Sequence, residues 1–236
     1  MNVYQQQGYE IVEGIFSDND VSNITRIIDS HILQAKEKKP DQPVYAYRKF
    51  LQRFPAIRDK IFTTAFLDLL QKKAGADYAV VKSIYFDKPA GSNWFVAGHQ
   101  DLTVSVKEKH SVDGFGPWSQ KEGYFAVQPP EAILRNNITF RIHLNTADEN
   151  NGCLQVVPGS HREGIIKDNA YYTQRQKTAC VVPAGAVMIM SPLLMHGSQR
   201  SKNGSQRRVI HIEFSNASLP EPLAWEERLT TPFTRD

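Results

Sequence analysis

Cysteine is nearly missing: the 236 residues hold two, Cys153 and Cys180. A disulfide framework is therefore excluded as the source of stability, and a reducing cytoplasm is the expected compartment. Long apolar runs are missing too. No stretch approaches the ~18–20 consecutive apolar residues of a membrane-spanning helix, so no membrane partner is expected. The opening Met1-Asn2-Val3-Tyr4-Gln5-Gln6-Gln7 has neither the basic start nor the apolar centre of a secretory signal. Net charge is small, +3 from 28 basic and 25 acidic side chains, which makes no case for nucleic acid or anionic lipid. No repeat or low-complexity segment occurs. What is present is a 41% hydrophobic fraction, enough for a substantial core. The length suits one large domain or two small ones.

Gly8–Val12 reads as a short strand. Ser17-Asp18-Asn19-Asp20 fits a capping box, and Val21, Ile24, Ile28 and Ile32 follow at helical spacing, so a helix is expected to run to Lys38 and stop before Pro40. A loop from Pro40 to Tyr47 leads to two short helices over 48–74, with Ile61, Phe62, Ala65, Phe66, Leu69 and Leu70 as an apolar face and Gly75 as the stop. These segments carry no evident chemistry and are expected to cover one face of a sheet.

From Tyr78 the period changes to that of strands. Tyr78–Phe86 is expected to be a strand ending in a turn at Asp87–Gly91. His99–Val106 alternates, with His99, Asp101, Thr103 and Ser105 on one face. Residues 107–136 hold Gly114, Gly116, Pro117, Pro129 and Pro130 beside Phe115, Trp118, Tyr124 and Phe125, and read as an irregular lid or wall. Further strands are expected at Ile138–Asn145, Leu154–Val157, Thr178–Pro183, Ala186–Met190 and Arg207–Ser215. The tail from Leu219, with Pro220, Pro222 and Pro232, is expected to pack loosely on the surface. Short strands behind a helical front imply a mainly β protein, two sheets forming a jelly roll with a helical cover.

The chemistry centres on His99-Gln100-Asp101 and the remote His196. In a strand, residues two apart point the same way, so the imidazole and the carboxylate can share an ion. Two histidines and one carboxylate occupy one face of an octahedral metal and leave the opposite face open, as in non-haem Fe(II) oxygenases. Arg207, at the start of the last strand, offers a planar fork suited to a carboxylate.

Several stretches together resemble the phytanoyl-CoA dioxygenase family of Fe(II)/2-oxoglutarate oxygenases. They are GHQDLTVSV (98–106), FRIHLNTADENNGCLQVVPGSHREG (140–164), MHGSQRSKNGSQRRVIHIEFS (195–215) and the opening GYEIVEGIFSDNDVSNI (8–24). Each is a weak signal alone; as an ordered set they are specific and span most of the chain. The resemblance implies a double-stranded β-helix (cupin-like jelly roll) in one domain over 1–236: helical cover 1–77, core 78–215, insert 107–136 and tail 216–236. It implies Fe(II) on His99, Asp101 and His196, and 2-oxoglutarate held by Arg207 with Ser198 as a second contact. Arg208 is the rival clamp, disfavoured because it shares parity with the apolar Ile210, Ile212 and Phe214. With O2, such an enzyme converts 2-oxoglutarate to succinate and CO2 while oxidising a C–H bond of a small molecule, by hydroxylation or a related outcome. Related halogenases replace the acid with a small residue that leaves room for halide; Asp101 leaves none. The family often has an aromatic residue near position 141 that contacts 2-oxoglutarate, whereas this chain has Arg141.

Other readings stay open at this level. Arg141 could meet an anionic substrate or pair with Glu213. His143 and His211, on the same faces as Arg141 and Arg207, could line the substrate pocket or be satisfied interior histidines. His31 reads as a helix-flank residue, His110 as exposed and His161 as a turn residue. Arg200 and Lys202 read as a solvated loop. A metal- or small-molecule-binding jelly roll without turnover is the alternative to an oxygenase. Neither the oligomeric state nor the substrate is encoded in any pattern here.

Overall fold

The computed structural model describes residues 2–38, 46–88, 95–121 and 123–231. Among these, the strands are β1 (Tyr9–Val12), β2 (Ala46–Arg48), β3 (Ala79–Lys88), β4 (Val96–His99), β5 (Val104–Val106), β6 (Trp118–Lys121) and β7 (Tyr124–Val127). They continue with β8 (Asn137–His143), β9 (Leu154–Val156), β10 (Thr178–Ala179), β11 (Val187–Met190), β12 (His196–Ser198) and β13 (Arg207–Ser215). The helices are α1 (Val3–Gln7), α2 (Asp18–Lys38), α3 (Phe50–Arg53), α4 (Arg58–Ile61), α5 (Thr64–Lys73), α6 (Glu131–Arg135) and α7 (Tyr171–Gln174), with 3-10 turns at Pro55–Ile57 and Ser160–Glu163.

Six strands make the larger sheet, in the order β1-β11-β8-β13-β3-β2. Four make the smaller one, β10-β9-β12-β4, and β5-β7-β6 form a third. The period-two alternation of the strands sorts the side chains. On β8 and β13, Ile138, Phe140, Ile142, Ile210, Ile212 and Phe214 face the helices and join Ile24, Ile28, Phe66 and Leu70 in one dry cluster. Arg141, Arg207, Val209, His211 and Glu213 face the opposite way, into a pocket shared with the smaller sheet. The expected mainly β jelly roll with helices packed on one sheet is the fold observed.

α2 starts where the sequence predicts. Asp20 donates its N–H to Ser17 Oγ at 3.2 Å, and the Asp20 carboxylate accepts the Ser17 N–H at 2.9 Å. Such a cap is worth about 1 kcal/mol. Ile24 and Ile28 from this helix are buried, each worth roughly 1.5–3 kcal/mol. Among the described residues, no helix is long and apolar enough to cross a membrane.

Four expectations need correction. The predicted single strand over His99–Val106 is two, β4 and β5, because the chain leaves the smaller sheet at Gln100–Thr103 to enter the third. The Asp101 N–H is then taken by Pro192 O at 2.8 Å rather than by a strand neighbour. The two helices over 48–74 are four pieces, with Pro55 opening a 3-10 turn between them. The irregular stretch 107–136 contains the hairpin β6–β7 and α6. The strand over Thr178–Pro183 is only β10, followed by a bridge from Val182 to Ala147. Of the predicted loops and turns, 40–45 and 89–91 lie outside the described residues, as does Pro232 in the tail; β3 itself extends to Lys88.

The tail is the fifth correction: it is anchored, not loose. Leu223 and Trp225 are buried. Glu226 pairs with Lys49 at 2.5 Å, and the Glu227 carboxylate accepts the Ser83 N–H at 2.6 Å and the Ser83 hydroxyl at 2.5 Å. Its proline content hid this, because the partners lie on β3 and the 46–50 region, remote in sequence. Glu227→Ala leaves the buried Ser83 N–H without its acceptor. The expected loss is about 1–3 kcal/mol of unfolding free energy, measured by urea denaturation.

Candidate metal centre and its pocket

His99 closes β4 and His196 opens β12, and the antiparallel register sets the two directly opposite each other. Their ring centroids lie 4.3 Å apart. Asp101 follows on the connection out of β4, and one ligand atom from each of the three lies within 4.8 Å of the others. His99 Nε2 is 3.8 Å from Asp101 Oδ1, and His196 Nε2 is 3.8 Å from Oδ2. These separations are too long for hydrogen bonds. The opposite ring atoms show why. His99 Nδ1 bonds Ala97 O at 2.9 Å and His196 Nδ1 bonds Leu194 O at 2.8 Å. A carbonyl only accepts, so each proton sits on Nδ1 and each Nε2 presents a lone pair.

Asp101 Oδ2 is buried with no hydrogen-bond partner. Three electron-rich atoms thus face one another with no proton among them, an arrangement that a divalent cation relieves and little else does. Burial lowers the His196 pKa to about 4. Burial pushes the Asp101 carboxyl up, but His196, His211 and His99 outweigh it and hold it below the usual carboxylate range. The arrangement is therefore one carboxylate facing the Nε2 lone pairs of two imidazoles, the donor atoms that a metal takes.

Two supports of this centre went unnoticed in the sequence. Gln100, between the ligands, is buried; its amide donates to Gly164 O (2.8 Å) and Leu193 O (2.6 Å) and accepts the Ile166 N–H (2.8 Å). It ties the ligand-bearing connection to the loops on either side. Tyr172 of α7 lies against both ligand strands. A Cβ at Gly98 would overlap the Tyr172 ring, and one at Gly197 would stand 2.9 Å from its Oη. The glycines beside His99 and His196 are therefore explained by close approach rather than by backbone conformation. Only the tertiary contact reveals this, since Tyr172 sits in an unremarkable polar stretch.

The pocket beside the centre has a volume of about 370 Å³. Arg207, Ser198, Arg141 and His211 all line it. Ser198 Oγ, Arg207 Nη1 and Arg141 Nε are buried without partners. Arg208 lies on the other face of β13, bonded to Asn145 and Asp29. Arg141 does not pair with Glu213. It donates to His211 Nδ1 at 3.1 Å, His211 Nε2 meets Glu213 Oε1 at 3.2 Å, and the same oxygen takes Lys82 Nζ at 2.7 Å. His143 is buried beside Arg141 and Arg207 but is not among the lining residues. From the hairpin β6–β7, Lys121, Tyr124 and Ala126 supply one wall. Arg200 and Lys202 are exposed and outside the lining. His31 bonds the Ile27 carbonyl within α2, and His110 meets Glu108 at the surface.

Fold and site together define a jelly-roll protein with two histidines and one carboxylate at the mouth of its barrel. The family model for phytanoyl-CoA dioxygenase (PhyH) matches residues 4–209, and the chain belongs to that family. It is 22% identical over 235 residues to the peroxisomal phytanoyl-CoA dioxygenase of Bos taurus, covering 91% of this chain and 67% of that one. Among solved structures, EvdMO1 superposes with a TM-score of 0.69 at 20% identity, over 92% of this chain and 49% of that one. EctD from S. alaskensis with 2-oxoglutarate and 5-hydroxyectoine gives 0.68 at 17% identity, over 90% and 73% respectively. The chain thus spans about two-thirds of its curated relative and about half of EvdMO1.

The packing of Tyr172 makes a direct prediction. Gly98→Ala forces the ring and β4 apart, so Ni(II) affinity of the metal-free protein, read by calorimetric titration, should fall about tenfold or more, the scale of lost outer support at metal sites. Adding Tyr172→Ala to that variant should recover part of the loss.

Proposed function

We propose that this chain is an Fe(II)- and 2-oxoglutarate-dependent dioxygenase that oxidises a C–H bond of a small organic molecule and releases succinate and CO2. The observation that carries this reading is the trio of lone-pair atoms at His99, Asp101 and His196, opening onto a cavity with orphaned buried donors. The three side chains would hold Fe(II) on one face and leave the other for ligands. Arg207, buried with Nη1 unpartnered, would take the distal carboxylate of 2-oxoglutarate through its planar fork, and the Ser198 hydroxyl would donate a further bond. Arg208 is committed elsewhere, to Asp29 and Asn145. Bound iron supplies the activation of O2 and the oxidative decarboxylation of 2-oxoglutarate. The protein's part is to fix the ligand tautomers, to neutralise the dianion and to keep the reacting end of the pocket walled. Family membership supports the reading, and so does the presence of 2-oxoglutarate in the EctD neighbour.

The test is succinate formation from 2-oxoglutarate by the purified protein with Fe(II), ascorbate and O2, where slow uncoupled turnover is expected without the true substrate. Asp101→Ala should abolish it. Arg207→Ala should raise the KM for 2-oxoglutarate by roughly 10- to 150-fold, since a charge-assisted bond contributes about 1.5–3 kcal/mol, while Arg208→Ala leaves it unchanged. No succinate, together with no charge-transfer absorbance on adding 2-oxoglutarate to the iron-loaded protein, would leave a metal-binding jelly roll without turnover.

A further inference from the structure

Arg141 is a buried cation with no carboxylate in contact among the described residues. Its side chain is 7% exposed, on the floor of the pocket. Among the described residues no carboxylate pairs with it. Its hydrogen bond goes to a histidine, and its Nε has no partner. The direction of that bond is set by chemistry: a guanidinium can only donate, so His211 Nδ1 accepts and the His211 proton lies on Nε2, aimed at Glu213. Glu213 is in turn held by Lys82 at 2.7 Å. As the acceptor of that bond the His211 ring brings no carboxylate to Arg141, and the Glu213 carboxylate is already paired with Lys82. Arg141 gains a fixed orientation but no carboxylate in contact; the acid whose charge reaches it, Asp101, belongs to the metal centre. Burial lowers its pKa to about 10, so it stays protonated at neutral pH.

The surroundings add positive charge. Lys88 and Arg207 line the same cavity, and both lose basicity through burial; Arg207, and then Arg200, adds repulsion at Lys88. Arg48 and Lys121, both exposed, line it as well. Two acids, Asp101 and Glu213, are the only carboxylates among the described lining residues. In the function proposed above, a ferrous ion, Asp101, the 2-oxoglutarate dianion and Arg207 together cancel. Arg141 remains, with Lys88 also on the lining, and an uncompensated buried charge costs several kcal/mol unless an anion joins it.

We infer that Arg141 is the oxyanion subsite for the substrate, and that the substrate is a small organic acid carrying a carboxylate or phosphate group. The His211–Glu213–Lys82 chain aims the guanidinium. Phe86, its ring centroid 5.9 Å from Arg141 Cζ, covers it. Ile84 and Val209 offer apolar lining for the carbon body. A cavity of about 370 Å³ that must also take 2-oxoglutarate limits that body to a small molecule.

This inference rests on the proposed 2-oxoglutarate chemistry, and the experiment separates the two. The full chain is loaded with Fe(II) and 2-oxoglutarate without oxygen, and the charge-transfer absorbance of the chelate is recorded first. Its absence sinks the functional reading itself. With the chelate present, benzoate, phenyl phosphate and the neutral benzamide are titrated, and binding is read by ligand-observed NMR and by perturbation of that absorbance. One of the two anions should bind at least tenfold more tightly than benzamide, and which one it is identifies the oxyanion as carboxylate or phosphate. Arg141→Gln should remove that preference while changing 2-oxoglutarate affinity less than twofold. Equal binding of acids and amide by the unaltered protein, or no binding of any of them, overturns the inference whether or not the variant folds. So does an Arg141→Gln protein that loses 2-oxoglutarate affinity as severely as Arg207→Gln, which would make Arg141 a cosubstrate contact.

Discussion

The structure turns on three lone pairs held together against their mutual repulsion. His99 and His196 each give their proton away from the centre, to Ala97 O and Leu194 O, and Asp101 adds a buried oxygen with no donor. Were either ring flipped, an N–H would point inward and repel a cation. The carbonyl bonds therefore decide what the centre can bind as much as the ligands do. These bonds depend on the pairing of β4 with β12, on the Gln100 amide that fixes the connection, and on Tyr172 lying across Gly98 and Gly197. A metal centre in this protein is a property of two strands and what is wedged beside them.

Such a centre contributes nothing to folding by itself, and buried polar atoms without partners cost roughly 1–3 kcal/mol each. Stability has to come from the other side of the larger sheet. There Phe66 packs against Phe140 and Phe214, with ring centroids 5.6 Å and 6.3 Å away, and Ile24, Ile28 and Leu70 close the layer. β8 and β13 carry both roles at once. Alternate residues on the same strand serve the dry layer and the charged pocket, so the helices that cover one face let the other remain polar.

That division is what made much of the chain readable. The alternation on β13 separates Arg207 from Arg208 in the sequence itself, and the two do face opposite sides, one into the pocket and one onto Asp29. The shared facing of His99 and Asp101 also came through, although the reason offered, one continuous strand, was wrong. Asp101 stands on a crossing segment, and its orientation comes from Pro192 and the Gln100 anchors rather than from pleating. What could not be read depends on long-range partners. Nothing local announces that Glu227 will seek Ser83, or that Tyr172 will press on two glycines. The hairpin in 107–136 was masked by prolines and glycines that lie around its strands rather than within them.

The polarity of the pocket belongs to register more than to loops. In the smaller sheet His196 opposes His99; in the larger, His211 opposes Arg141 and Glu213 opposes Lys82. Each is a cross-strand pair, the unit in which sheets fix side chains against one another. A one-residue slip of β13 would turn Arg207, His211 and Glu213 to the helices and bring Ile210 and Phe214 into the pocket, losing the charged floor and the dry core together. Chemistry and stability are therefore locked to the same register. The remaining wall comes from β6 and β7, where Lys121 and Tyr124 reach the pocket from a small third sheet that is itself packed on Val81 of β3 through Val104 and Val127.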